Sequence, residues 1–231
     1  MRNARSVHEV VVRLLPLLLF AFLPCSCTKD SYEQGDGQYS QLTADFAELT
    51  VNSRKQGVSF VTDEGVRYIL QQSVSASWIK TADSVYRATI YYNKVQEQTA
   101  EVVSLMSMPT LIPRDASLYK RQPQDPLGIE SCWVTPNGKY LNMGLLLKNG
   151  RNDEGAEGTH ALSLVCDEVH LNDDHTRTAY YRLLHEQREA PEYYTNRCYV
   201  SILLPDKNRP DSVRLTIQTY DGPVVRKFKL D

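Results

Sequence analysis

Two Ser-x-x-Lys tetrads, Ser77-x-x-Lys80 and Ser117-x-x-Lys120, have the spacing with which penicillin-recognising enzymes pair a nucleophile with a lysine. That chemistry also needs a Ser-Asp-Asn and a Lys-Thr-Gly partner motif, and neither occurs. His160, His170, His175 and His185 are spread without a His-Glu-x-x-His pattern, and there is no Gly-x-Ser-x-Gly or paired Cys-x-x-Cys. His170, Asp173, Asp174 and His175 share one polar stretch and could surround a cation, but Asn and Asp cluster in turns for backbone reasons alone. Nothing in the spacing of Asp and Glu selects a pair for glycoside hydrolysis. No catalytic residue, metal ligand or cofactor is therefore assigned, and an enzyme is not expected. Tyr180-Tyr181 and Tyr193-Tyr194 carry a different chemistry, because tyrosine offers a flat apolar face and a polar tip to a sugar or a protein. Tyr181, Tyr193 and Tyr194 are the candidate ligand or partner surface, with the reservation that adjacent rings on a strand point to opposite faces.

Cysteine is the other reactive type. Arg2, Arg5 and Arg13 precede an apolar run, Leu14–Leu23, of about ten residues, the length of a signal-peptide core. Pro16 and Pro24 interrupt it, and a membrane-spanning helix needs roughly twenty apolar residues. Residues 1–26 thus read as a lipoprotein signal, with Cys27 as the lipidated residue because small Ser26 precedes it. Cys25 follows Pro24, a poorer cleavage context; an ordinary secretory signal with incidental cysteines is the plain alternative. Thr28 stands directly after Cys27, and resemblance to Gram-negative lipoproteins implies that without Asp there the outer membrane is the destination. Cys132, Cys166 and Cys198 remain in the body of the chain, an odd number. Cys166 and Cys198 both fall in phase with apolar strand faces, whereas Cys132 falls opposite Ile129 and Trp133. Buried free thiols are the favoured state; if a disulfide forms, Cys166–Cys198 is the pair.

The 231 residues carry 26 Lys and Arg against 28 Asp and Glu. Residues 1–26 hold three Arg and one Glu, so the remainder has 23 basic and 27 acidic groups, a net charge of −4. That balance gives no electrostatic footprint for nucleic acid.

Residues 27–41 are polar and Gly-bearing and read as a tether. In residues 42–108, Ala47, Leu49 and Val51 alternate with polar neighbours, and Asp63-Glu64-Gly65 supplies a hairpin turn. Val85–Val95 and Thr99–Met106 alternate again. About five short strands in this length suit a small OB-like barrel, with Trp78 plugging one end. Pro109, Pro113, Pro123 and Pro126 make residues 109–126 a linker. In residues 127–231, runs such as Leu141, Met143, Leu145, Leu147 and Val213, Leu215, Ile217 recur between turns. About seven strands, each with one apolar face, point to an antiparallel β-sandwich. The expected fold is all-β throughout.

Tyr32-x-x-Gly35-Asp36, Asp63-Glu64-Gly65, Asp125-Pro126-Leu127-Gly128-Ile129 with Trp133, Tyr140-Leu141-Asn142-Met143 and His160-Ala161-Leu162-Ser163-Leu164-Val165 together resemble the NigD-like envelope lipoproteins. The resemblance spans nearly the whole chain after Cys27 and implies an OB-type domain followed by a β-sandwich. It brings no catalytic residue. The expectation is a lipid-anchored, non-enzymatic envelope protein that contacts another envelope protein or polymer. Its rival is a saccharide- or peptide-binding component of a nutrient-capture system, and an envelope hydrolase is a third possibility. A pocket lined with aromatic rings would favour the rival.

Overall fold

The computed structural model describes residues 42–230. Cys27, the signal of residues 1–26 and the tether of residues 27–41 lie outside them.

Strands β1 (Thr43–Val51), β2 (Gly57–Thr62), β3 (Arg67–Val74), β4 (Ser84–Gln96) and β5 (Thr99–Ser107) close into a barrel in the order β1-β2-β3-β5-β4. All neighbours are antiparallel except β3 and β5, and the closure removes free sheet edges as in an OB barrel. Alternation puts Ala47, Leu49 and Val51 inside, with Phe60, Tyr68, Ile90 and Tyr92 opposite them. Gly65, at φ +83°, makes the β2–β3 turn and donates its N–H to the Thr62 carbonyl; a side chain there would be strained. Trp78 is half-buried against the barrel core, edge-on to Tyr86, while its neighbour Ile79 is the buried residue.

Residues 109–126 differ from the expected free linker. β6 (Thr110–Leu111) pairs in parallel with Ser201 and Ile202, and β7 (Arg114–Asp115) with Val165 and Cys166. Leu111 is buried in the second core. The prolines keep this stretch out of any central ladder, but an edge strand of two residues needs few N–H donors, so it can bracket both sheets.

Those sheets are built from β8 (Gly128–Val134), β9 (Tyr140–Asn149), β10 (Ala161–Leu171), β11 (Arg177–Glu186), β12 (Tyr194–Leu203), β13 (Ser212–Thr219) and β14 (Gly222–Lys229). One has the order β14-β13-β11-β10-β7, the other β6-β12-β9-β8. Leu141, Met143, Leu145, Val213, Leu215 and Ile217 are buried together in their shared core. Each such Leu contributes about 1.5–3 kcal/mol by leaving water.

Cys132, Cys166 and Cys198 are all free thiols, so no Cys166–Cys198 bond is present. All three pack against this core. Cys132 joins them because a bulge between Ile129 and Ser131 resets the period of β8, which simple alternation from Ile129 could not show. Burial pushes the Cys132 thiol up to about 12, leaving it protonated and a poor nucleophile.

Strands β4 and β9 bury residues on both faces. On β4, Ala88, Ile90 and Tyr92 face the barrel interior, yet the outward Arg87 and Thr89 are buried as well. On β9, Asn142 has no exposed surface although it alternates with core residues Leu141 and Met143. Barrel and sandwich belong to one compact unit, residues 41–231, and the barrel rests on the outer face of the four-stranded sheet.

Candidate functional site

The contact between the two modules is made by charges and hydroxyls. Arg87 on β4 grips Asp63 of the barrel turn in a fork, Nη1 to Oδ1 at 2.6 Å and Nη2 to Oδ2 at 2.7 Å. From the sandwich, Ser201 Oγ accepts from Arg87 Nε at 3.0 Å, and Asn142 Oδ1 accepts from Nη2 at 3.2 Å. Asn142 Nδ2 donates to Asp63 Oδ2 at 2.8 Å, and Ser201 Oγ donates to Asn142 Oδ1 at 2.7 Å. The guanidinium carbon lies 4.2 Å from the centre of the Tyr140 ring. Tyr140 donates its hydroxyl to Glu48, which also pairs with Lys139 at 2.6 Å. Burial alone would raise the Glu48 carboxyl, but these bonds from Lys139 and Tyr140 outweigh it and hold the group below its usual range. Burial, reinforced by Glu48, raises the Tyr140 phenol and keeps it a donor. A network in which each group has partners in the other module fixes their relative placement.

Beside this joint lies a cleft of about 290 Å³. The outward faces of β1 and β4 contribute Phe46, Thr89 and Tyr91, and the turn contributes Asp63 and Glu64. The sandwich contributes Trp133, Pro136 and Tyr199. Trp133 pairs with Asn142 across β8–β9, so the strand that anchors the joint also orients the indole. Phe46 stacks on Trp133 at 5.9 Å and 21°, and Tyr199 tilts onto Phe46 at 5.1 Å. Asp45, also in the lining, accepts the Tyr92 hydroxyl at 2.7 Å. Gly144 lies behind Tyr199; an added Cβ would come within 2.6 Å of Ser131 Oγ and 3.3 Å of the Tyr199 ring.

The residues singled out from the sequence lie elsewhere. Tyr181 is a correction: it is 3 % exposed and belongs to the sandwich core, in phase with Ala179 and Leu183. Its neighbour Tyr180 takes the outward position, beside Arg214. Tyr193 and Tyr194 are exposed at the start of β12, with Tyr194 donating to Glu157 at 3.0 Å, and neither lines the cleft. Ser117 Oγ donates to Asp115 at 2.6 Å within a single turn of 3-10 helix, Ala116–Leu118, rather than engaging Lys120. Asp174 accepts from the Thr176 amide and hydroxyl at 3.0 and 2.6 Å, capping its own turn. Among the described residues no three His, Cys, Asp or Glu converge as a metal site.

A histidine pair escaped the sequence reading. The rings of His160 and His185 stack at 5.2 Å, with His160 Nδ1 and His185 Nε2 2.9 Å apart. His185 Nδ1 lies 2.9 Å from the Asp125 carbonyl, so it must carry the proton there and leave Nε2 to accept from His160. Burial, and then the neighbouring His185, lower the His160 pKa. A histidine with a depressed folded-state pKa is neutral in the native protein while the unfolded chain already takes up its proton. Stability should therefore be complete above about pH 6.5 and fall as pH drops from there through the lowered value. Melting temperatures between about pH 7.5 and pH 5.5 test this: His160→Gln should flatten the profile, and an unchanged slope would refute the assignment.

No protein-family profile and no curated protein matches the chain. Solved structures do. A NigD-like immunity protein from Bacteroides caccae is 21 % identical, with a TM-score of 0.60 over 81 % of this chain and 92 % of its own. A candidate toxin-related protein from Parabacteroides distasonis is 16 % identical, with a TM-score of 0.60 over the same shares. A candidate lipoprotein from Bacteroides fragilis is 12 % identical, with a TM-score of 0.57 over 83 % of this chain and 99 % of its own. The NigD-like fold is the fold of this chain.

Proposed function

We propose that this NigD-like fold is a non-catalytic binding module, held in the cell envelope by a lipid on Cys27, and that it receives its ligand in the cleft between barrel and sandwich. The observation that carries this reading is the convergence of Phe46, Trp133 and Tyr199 from both modules beside a joint held by a buried ion pair and hydrogen bonds. Most small-ligand and peptide sites are preformed concavities with apolar walls and a few polar groups. Hydrolysis finds little support in the cleft. Asp63 is committed to Arg87, Asp45 is held by Tyr92, and Glu64 is left without a second carboxylate to share acid and base roles. The lipoprotein and immunity descriptions of the structural neighbours agree with an envelope protein whose work is contact. Thr28 after Cys27, by the resemblance to Gram-negative lipoproteins, supports an outer-membrane position, and the acidic lining disfavours nucleic acid.

The test is recovery of the lipidated protein from its native envelope, beside a variant carrying Trp133→Ala and Tyr199→Ala. The wild type should retain an envelope component that the variant loses, and mass spectrometry should find the acyl chain on Cys27. Equal recovery from both proteins overturns the cleft as the binding seat, and an unmodified N-terminus overturns the anchor.

A further inference from the structure

Taking the cleft as the ligand seat, we infer that it selects a basic side chain, lysine or arginine, presented by an extended polypeptide. Three carboxylates and no Lys, Arg or His line it. Asp63 is already neutralised by Arg87. Glu64 sits exposed on the turn at the mouth and makes no ion pair among the described residues. Asp45 has one oxygen on the Tyr92 hydroxyl, and its other oxygen takes no hydrogen bond from a described residue. The unpaired Glu64 carboxylate thus stands at the mouth of a cavity whose walls are Phe46, Tyr91, Trp133 and Tyr199, with Asp45, held by Tyr92, also in the lining.

The rings themselves narrow the ligand. Phe46 stacks on Trp133 and meets Tyr199, so three of the four rings are already engaged with one another. What remains toward the cleft is an apolar wall with an acidic rim. A lysine or arginine has the matching anatomy, an apolar stem that packs on such a wall and a cationic head that reaches beyond it. A bare metal ion is a poor fit, because the one uncommitted carboxylate, Glu64, makes an incomplete site.

The chain that carries the basic side chain can be placed as well. β8, which bears Trp133, is the last strand of its sheet, so one side of its backbone is not used in the sheet. An extended segment could add there by main-chain hydrogen bonds and drop alternate side chains toward the barrel.

The experiment follows Trp133 fluorescence in the purified protein, with Trp78→Phe removing the only other indole. The titrants are a blocked peptide of alternating lysine and threonine, its twin with every lysine Nε-acetylated, and a neutral oligoglucan. The lysine peptide should shift the emission, and acetylation should weaken it about fivefold, as should Glu64→Gln at unchanged melting temperature. Added salt should weaken the lysine peptide and leave the acetylated twin unaffected. Equal response to both peptides, or to the oligoglucan alone, would overturn the cationic preference while leaving the cleft a ligand seat. No response of Trp133 to any titrant would overturn the inference outright; the comparison from the native envelope would then decide the cleft on its own.

Discussion

Replacing Arg87 with Met should lower the free energy of unfolding by about 3–5 kcal/mol, the cost of stranding a buried charge. The Arg87 and Asp63 side chains are only 3 % and 9 % exposed, so water cannot replace the lost partner. The loss also removes the donor that Ser201 Oγ and Asn142 Oδ1 accept from, and the cation over Tyr140. Replacing both members of the pair, Arg87→Met with Asp63→Leu, should cost less than Arg87→Met alone, because no charge is left behind. Urea denaturation of both variants measures the difference. A loss below about 1 kcal/mol for Arg87→Met would place it with exposed ion pairs and remove the joint as the feature that holds the cleft.

Phe60→Ala should cost a similar amount, about 3–5 kcal/mol, for an unrelated reason. Phe60 has no exposed surface and packs its ring against Tyr68 at 5.1 Å and Tyr92 at 4.9 Å, while those two lie 5.1 Å from each other. A barrel of five short strands has few large side chains with which to fill itself, so the cavity cannot be closed by sliding a neighbour across. Tyr92 would lose its wall. Its phenol, raised above the ordinary range by burial and then by Asp45, is the donor that holds Asp45 at the rim of the cleft. The loss of stability should therefore be accompanied by weaker peptide binding. Leu118→Ala, at a residue 68 % exposed, serves as the comparison and should stay within about 0.5 kcal/mol of wild type.

What the sequence disclosed follows from how many faces each strand buries. β1 and β13 bury one face, so Ala47, Leu49, Val51 and Val213, Leu215, Ile217 announce themselves at period two. β4 and β9 bury both, but their second faces carry Arg87, Thr89 and Asn142, letters that read as solvent-facing. They are buried because they satisfy one another across the joint, and no local pattern distinguishes a polar residue in water from one with a distant partner. The cleft was invisible for the same reason. Phe46, Trp133 and Tyr199 come from three strands of two modules, and only the fold brings them together. Tyr181 is a different case. Ala179 and Leu183 already placed it on the inner face, and the alternation that sends one ring of Tyr180-Tyr181 outward selects Tyr180. The prolines of residues 109–126 correctly argued against a central strand. They could not argue against the two-residue edges of β6 and β7, which ask too little of the backbone to leave a signature.

Differential scanning calorimetry of the purified protein tests most directly whether barrel and sandwich are locked into one body with a preformed cleft. The wild type should unfold in a single transition with equal calorimetric and van't Hoff enthalpies, and Arg87→Met should do so at a lower temperature. Two separate transitions in the wild type would contradict the account.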